Sequence, residues 1–194
     1  MSLEPAGFWI RAAARLVDWV VLMLVNVVVV FGLAIVAAVA EQLTGRSSAA
    51  MLAALQNTTF IGWIGGFFTT LTYYSIFEGV VGSTIGKRLV GLHVIGMDGA
   101  PVRFAQGCKR TLGFFIDALF FGAIAAGEMR DSPEKQRLGD RWANTRVVRL
   151  RSVPPELRPR RREFVAAMIA AVHVTAVVDT ITSLAEYAWQ VRGG

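Results

Sequence analysis

The stretch Trp19-VVLMLVNVVVVFGLAIVAAV-Ala40 carries no charged residue, and Asn26 is the one strongly polar side chain in it. A helix rises about 1.5 Å per residue, so about 20 apolar residues match a hydrocarbon core about 30 Å thick. A secretory leader is the rival reading, because Ala38-Val39-Ala40 has the small-x-small form of a cleavage site. The apolar run before it exceeds the roughly 7–15 residues of a leader core, which favours a transmembrane helix.

The pattern repeats outward from this helix. Ser47–Phe77 is also uncharged, Thr111–Gly127 contains only Asp117, and Phe164–Gln190 is broken by His173, Asp179 and Glu186. The chain is 54% hydrophobic and 18% charged, against about 45–50% and about 25% in soluble domains. Its net charge is +6, but the bases lie between apolar blocks. They read as topology and lipid-headgroup determinants rather than a nucleic-acid surface. The single Cys108 excludes an intramolecular disulfide.

These features define an α-helical membrane protein with three to four membrane-inserted helices. The first runs from near Gly7 to about Ala40, the second over roughly Thr58–Phe77, and Glu41–Asn57 connects them. Gly62, Gly66 and Thr70 give the second helix a small-residue face suited to close packing. The loop Glu78–Arg110 carries Lys87, Arg88, Arg103, Lys109 and Arg110, which places it and the N-terminus on the cytoplasmic side. Eleven Lys and Arg residues follow between Glu128 and Glu163. If Thr111–Gly127 crossed once, all of them would lie outside. That block spans about 26 Å as a helix and holds Gly113, Gly122 and Gly127, so a re-entrant or tilted insertion is preferred, a full crossing being the alternative.

Between these blocks, Leu89–Ile95 reads as a short strand, and Asp98-Gly99 supplies a turn before Val102-Arg103-Phe104. This predicts a small cytoplasmic hairpin, which Thr145–Leu150 could join. Val153–Arg162 reads as an extended basic linker beside anionic headgroups. The expected organisation is a membrane domain over 1–150, a linker over 151–163 and a C-terminal apolar helix over 164–194.

Charges at membrane depth cost at least about 2.5–3.5 kcal/mol each, so those present need a partner, a cavity or a role. Arg11 and Asp18 share a helix face, and Arg15 and Asp18 are spaced to pair. Arg11 and Asp18 either anchor the helix end as an interfacial ion pair or handle an ion. The order Arg, five residues, Val or Ile, then Asp recurs at Arg110–Ile116-Asp117, so both segments enter the membrane alike. Thr175, Asp179, Thr182, Glu186 and Gln190 form one polar stripe. It serves either a proton or cation path inside a bundle or the wet face of an interfacial helix. His173 falls off that stripe and reads as a packed or interfacial residue.

Several chemistries are excluded. Gly79–Arg88 lacks the glycine and hydroxyl positions of a phosphate loop. Two histidines and one cysteine make no zinc set, and no nucleophile-elbow motif occurs. No cofactor and no enzymatic activity are expected.

The motifs resemble those of the RDD family of bacterial membrane proteins. They are Gly7-Phe8-Trp9-Ile10-Arg11 with Ala14 and Val17-Asp18; Glu78 followed by Gly82-Ser-Thr84-Ile-Gly86-Lys87-Arg-Leu89; Asp98-Gly99 and Arg110; and Gln136-Arg137-Leu138-Gly139-Asp140-Arg-Trp-Ala143-Asn144-Thr145. The resemblance covers about residues 7–150 and makes Arg11, Asp18 and Asp140 the name-giving residues. Asn144 stands where the family usually has glycine. The resemblance implies a role in ion-coupled transport, cation/proton antiport included. The residues that would serve it are Arg11, Asp18, Glu78, Lys87, Arg110, Asp117, Asp140, Asp179 and Glu186. The alternative is a non-catalytic scaffold or accessory subunit that docks a partner through its cytoplasmic loops. Expected partners are the anionic bilayer, small cations or protons and a second copy of the chain. The expected location is the plasma membrane, multi-pass, with the N-terminus inside.

Overall fold

The computed structural model describes residues 3–45, 47–49, 52, 60–117 and 122–193. The order of elements is helix α1 (Phe8–Thr44), α2 (Phe60–Val81), the short α3 (Ile85–Leu89), strand β1 (Leu92–Gly96), α4 (Phe104–Asp117), α5 (Ala123–Asp131), the short α6 (Leu138–Trp142), β2 (Thr145–Arg149) and α7 (Arg161–Gly193). Two 3-10 turns, Leu150–Ser152 and Pro155–Leu157, join β2 to α7. The chain divides into two compact units: residues 1–20 with 71–171, and residues 21–70 with 172–194. This division crosses the boundary expected at residue 150, because the first unit continues through the basic segment into the opening turns of α7.

The first unit is organised on a two-stranded antiparallel sheet in which Leu92 pairs with Arg149, Val94 with Val147 and Gly96 with Thr145. The expected strand at Leu89–Ile95 is shorter, because Ile85–Leu89 is helical. Thr84 caps that helix by accepting a hydrogen bond from the Lys87 N–H, and Gly91 then turns the chain at φ +70°. The expected hairpin to Val102–Phe104 is replaced by the pairing with 145–149. Asp98-Gly99 does form its turn, with the Gly99 N–H on the Gly96 carbonyl, but it returns only an isolated bridge from Pro101 to Ile95.

Strand β1 is buried along its whole length. Leu92, Val94 and Val147 pack on one side with Ala6, Ala14 and Val102, while Ile95, Val148 and Val153 cluster on the other. Full burial of each such side chain contributes about 1.5–3 kcal/mol. Val153–Arg162, read as an extended basic linker, is folded back here. Val153 is buried in the second cluster, and Arg158 donates to the Val153 and Arg151 carbonyls. Its prolines hold it as turns, and its first residues complete the core.

The third apolar block is not one helix among the described residues. Helix α4 starts before it and ends at Asp117, and α5 starts after Gly122, which has φ +83°. Residues 118–121, where a re-entrant turn would fall, lie outside the described residues, as do 46, 50, 51 and 53–57 of the Glu41–Asn57 connection.

The second unit is built from helix, and its polarity is inverted relative to a soluble fold. Val28, Phe31, Ile35, Trp63, Val177, Ile181 and Trp189 are exposed, whereas Thr69, Thr175, Asp179 and Glu186 are buried. Water would select the reverse arrangement, while lipid around the outside tolerates this one. Phe8–Thr44 and Pro155–Trp189 are long and apolar enough to cross a membrane. The close approach expected at Gly66 occurs one residue earlier. A Cβ at Gly65 would lie 2.3 Å from the Thr182 methyl group, and one at Gly66 would meet open space.

Candidate functional site: a closed network of buried charges

The name-giving residues converge in the first unit. Asp140, on α6, is fully buried and accepts from Arg11 Nη1 at 2.6 Å through Oδ2 and from Arg110 Nη1 at 2.6 Å through Oδ1. Arg137 approaches the same carboxylate at 3.4 Å and Asp117 at 3.7 Å. Arg110 is also fully buried. It donates through Nε to Glu78 Oε2 at 2.6 Å and through Nη1 to the Thr145 hydroxyl at 2.6 Å. Glu78 completes the chain by accepting from Lys87 through Oε1. Arg11–Asp140–Arg110–Glu78–Lys87 is therefore one continuous ion chain that ties α1, α6, α4, α2 and α3 together. Arg11 is further fixed by donating to the Ala6 and Lys135 carbonyls at 3.0 and 2.7 Å.

Local backbone explains why this sequence can build the chain. Helices α4 and α6 approach closely because both contact positions are glycine, and a Cβ on Gly113 would sit 2.4 Å from the Gly139 Cα. That approach brings Arg110 and Asp140 within bonding range. After α6, Asn144 adopts φ +52°, a left-handed conformation that asparagine tolerates better than most residues. The substitution for the family's usual glycine thus keeps the turn and delivers Thr145 to Arg110.

Asp18 has a separate set of partners. Its Oδ1 accepts from the Tyr73 hydroxyl at 2.9 Å and the Gly86 N–H at 2.7 Å, and its Oδ2 from the Thr84 hydroxyl at 2.6 Å. Gly86 has no room for a side chain, since its Cβ would fall 2.0 Å from the Ala14 carbonyl oxygen. Asp18 therefore pins the start of α3 onto α1. The expected Arg15–Asp18 pair does not form. Arg15 lies between the Tyr74 and Phe114 rings, 3.7 and 3.4 Å from their centres, a stacking that suits a guanidinium. Asp117, the counterpart of Asp18 in the sequence echo, faces the Gly139 N–H at 3.5 Å and Arg137.

Burial alone would raise the Asp140 pKa, but Arg110, Arg11 and Arg137 hold it well below the carboxylate range. The Lys87 ammonium is pushed down by burial, against the pull of Glu78, to about 8. Asp18, Glu78 and Asp140 thus have both carboxylate oxygens occupied by this protein's own donors. No group of three or more His, Cys, Asp or Glu side chains suited to a metal occurs among the described residues.

Asp179 and Glu186 lie in the second unit. Asp179 Oδ1 accepts from the Thr69 hydroxyl at 2.5 Å, and the Asn26 side chain also approaches the carboxyl. Of the polar stripe on α7, Asp179 and Thr182 thus face Thr69 and Gly65 of α2, and Thr175, Asp179 and Glu186 are buried.

Tyr73 gave no signal in the sequence as a partner of Asp18. Thr84, Gly86, Arg137 and Thr145 lay inside recognised motifs, although their partners could not be read there.

A search of solved structures finds no match. The chain is similar to the protein named uncharacterized protein YxaI of Bacillus subtilis (strain 168), 27% identical over 160 residues that cover 75% of this chain and 97% of that one. The RDD family model matches residues 5–144, which include every charge of the ion chain and Asp18 with its partners Tyr73, Thr84 and Gly86. The chain belongs to the RDD family, and its two long apolar helices fit a membrane protein.

Proposed function

We propose that the protein carries a small cation or protons across the membrane, with the family-motif charges as a fixed frame and the working acid in the second unit. The carrying observation is the contrast between the acids. Asp18, Glu78 and Asp140 are occupied on both oxygens by protein donors, whereas Asp179 keeps a buried oxygen with no partner and, unlike Asp117, whose Oδ1 is also without a partner but whose Oδ2 faces Arg137, makes no ion pair among the described residues. A transported ion needs an oxygen that the fold has not already used. This reading takes the protein as multi-pass in the plasma membrane, with α1, α2 and α7 crossing it and the N-terminus inside. Exposed bases such as Arg161 and Arg162 would meet anionic headgroups.

The test is flux in proteoliposomes of the purified chain, with an internal pH dye and imposed Na⁺, Li⁺ or K⁺ gradients. Asp179→Asn should abolish cation-dependent proton movement. Asp18→Asn should lower the yield of folded protein while leaving flux per folded molecule near wild type. Wild-type liposomes that match empty ones would refute the proposal.

A scaffold role is the second reading, favoured by the exposed apolar residues of the first unit, Trp142, Leu89 and Phe104. It would be supported by a stable partner lost on Trp142→Ser, in protein that shows no flux.

A further inference from the structure

Helix α7 contains one hydroxyl out of step with its neighbours. Thr180, Thr182 and Ser183 each donate to the carbonyl four residues back, at 2.7, 2.8 and 2.9 Å. Such back-bonding is the usual way a helix satisfies a hydroxyl in a dry environment. Thr175 does not follow it. Its side chain is fully buried, and Oγ1 has no hydrogen-bond partner. One turn further on is Asp179, 8% exposed, whose Oδ2 is equally buried and equally without a partner. Side chains four apart share a helix face and lean toward the N-terminus, so the Asp179 carboxyl leans toward Thr175. Two orphan oxygens thus lie on one buried face, a turn apart, beside the Thr69 hydroxyl that already holds the other carboxylate oxygen.

We infer that Asp179 is a proton-binding site, with the exchangeable proton on its partnerless Oδ2 and the Thr175 hydroxyl one turn away on the same helix face, beyond hydrogen-bond reach. Among the described residues Asp179 makes no ion pair, so its charge has no compensating cation. An uncompensated carboxylate at membrane depth is expensive, and a proton removes the charge without displacing any helix. A metal ion fits less well. The group offers Oδ2, one threonine hydroxyl and the Asn26 amide, fewer oxygens than a dehydrated cation requires. Thr175 and Asp179 lie beyond the residues matched by the family model, which end at 144, while Thr69 and Asn26 lie within them. The inference deepens the transport proposal by naming the ion, and it rests on that reading only for its purpose.

The experiment is labelling of the full-length chain in detergent micelles with a lipid-soluble carbodiimide, which reacts with protonated carboxyls in apolar surroundings. Modified peptides are quantified by mass spectrometry as a function of pH. The expected result is modification at Asp179 that falls as pH rises, with little reaction from a water-soluble carbodiimide. Thr69→Ala removes a donor that favours the charged form, so it should move the labelling midpoint up by roughly one pH unit, a tenfold gain in proton affinity. Thr175→Val makes the surroundings more apolar, which disfavours the charged form, and should move it up as well. Absent labelling at Asp179, or labelling that neither pH nor these two variants alters, would overturn the site. Flux with Asp179 unlabelled would leave transport standing and remove the site. Labelling without flux would do the opposite.

Discussion

Asp140→Asn tests whether the ion chain holds the first unit together. The substitution keeps the shape of the side chain. It removes the charge and turns one acceptor into an N–H₂ group that faces a guanidinium. Arg11 and Arg110, both within 2.6 Å of the native carboxylate, lose a shared counter-charge at a site with no exposure. Breaking a buried ion pair from one side costs about 3–5 kcal/mol, because the remaining charge stays buried. For a chain of this size, each kcal/mol lowers Tm by about 2–4 °C, so the expected loss is roughly 6–20 °C. The assay is thermal unfolding of the purified chain in detergent, followed by near-UV circular dichroism at one fixed scan rate. Glu4→Gln is the control, since it removes the exposed Glu4–Arg151 bridge, a class worth under about 1 kcal/mol. The pH dependence adds a second readout. Asp140 is held below its ordinary pKa, so its contribution is complete above the ordinary carboxylate pKa and is lost as pH falls below it. The variant should lack that part of the acid transition. A Tm within about 2 °C of wild type, or an unchanged acid limb, would refute the reasoning.

His93 lies buried in β1, and burial followed by the nearby Arg88 pushes its pKa down from 6.5 to about 4. The folded chain thus holds the neutral ring. Stability is complete above about 6.5 and falls as pH drops toward 4, by at most about 3 kcal/mol. His93→Gln should flatten that slope in pH-dependent melting curves. The helix contact in the second unit gives a positional test. Gly65→Val should lower thermal stability because its side chain meets Thr182, while Gly66→Val should change it little, as read from melting in detergent. Equal effects at the two sites would contradict the observed contact.

The sequence made the long helices legible because lipid solubility is a property of a continuous run, and runs can be read locally. Helix α1 extends to Thr44 rather than Ala40, and α2 to Val81 rather than Phe77, small differences at the ends where polar residues begin. It was less informative wherever a residue's partner is distant. The spacing of Arg15 and Asp18 predicts a pair, but Tyr73, Thr84 and Gly86 compete for Asp18 and the rings of Tyr74 and Phe114 compete for Arg15. Likewise Asp98-Gly99 correctly marks a turn, yet a turn does not select a strand's partner, and β2 outcompetes the nearer segment. Gly62, Gly66 and Thr70 share a face, but only tertiary packing decides that the contact falls on Gly65. The motif residues were identifiable from the family resemblance. Their arrangement as a chain of alternating charge was not, because the order Arg11, Asp140, Arg110, Glu78, Lys87 in space bears no relation to their order in sequence.

The stitching of the N-terminus to the far end of the first unit bears on how the chain is made. Arg11 and Asp140 are 129 residues apart, and the Ala6 N–H donates to the Val147 carbonyl. At about 5–20 residues per second, roughly 6–26 s of synthesis separate the emergence of Arg11 from that of its counter-ion. Throughout that interval Arg11 and Arg15 are unpaired cations at the mouth of an apolar helix. Unpaired cations there are the groups that fix which side of a membrane a helix end stays on. The same guanidinium is therefore a free charge while the chain is being made and a neutralised strut once it has folded.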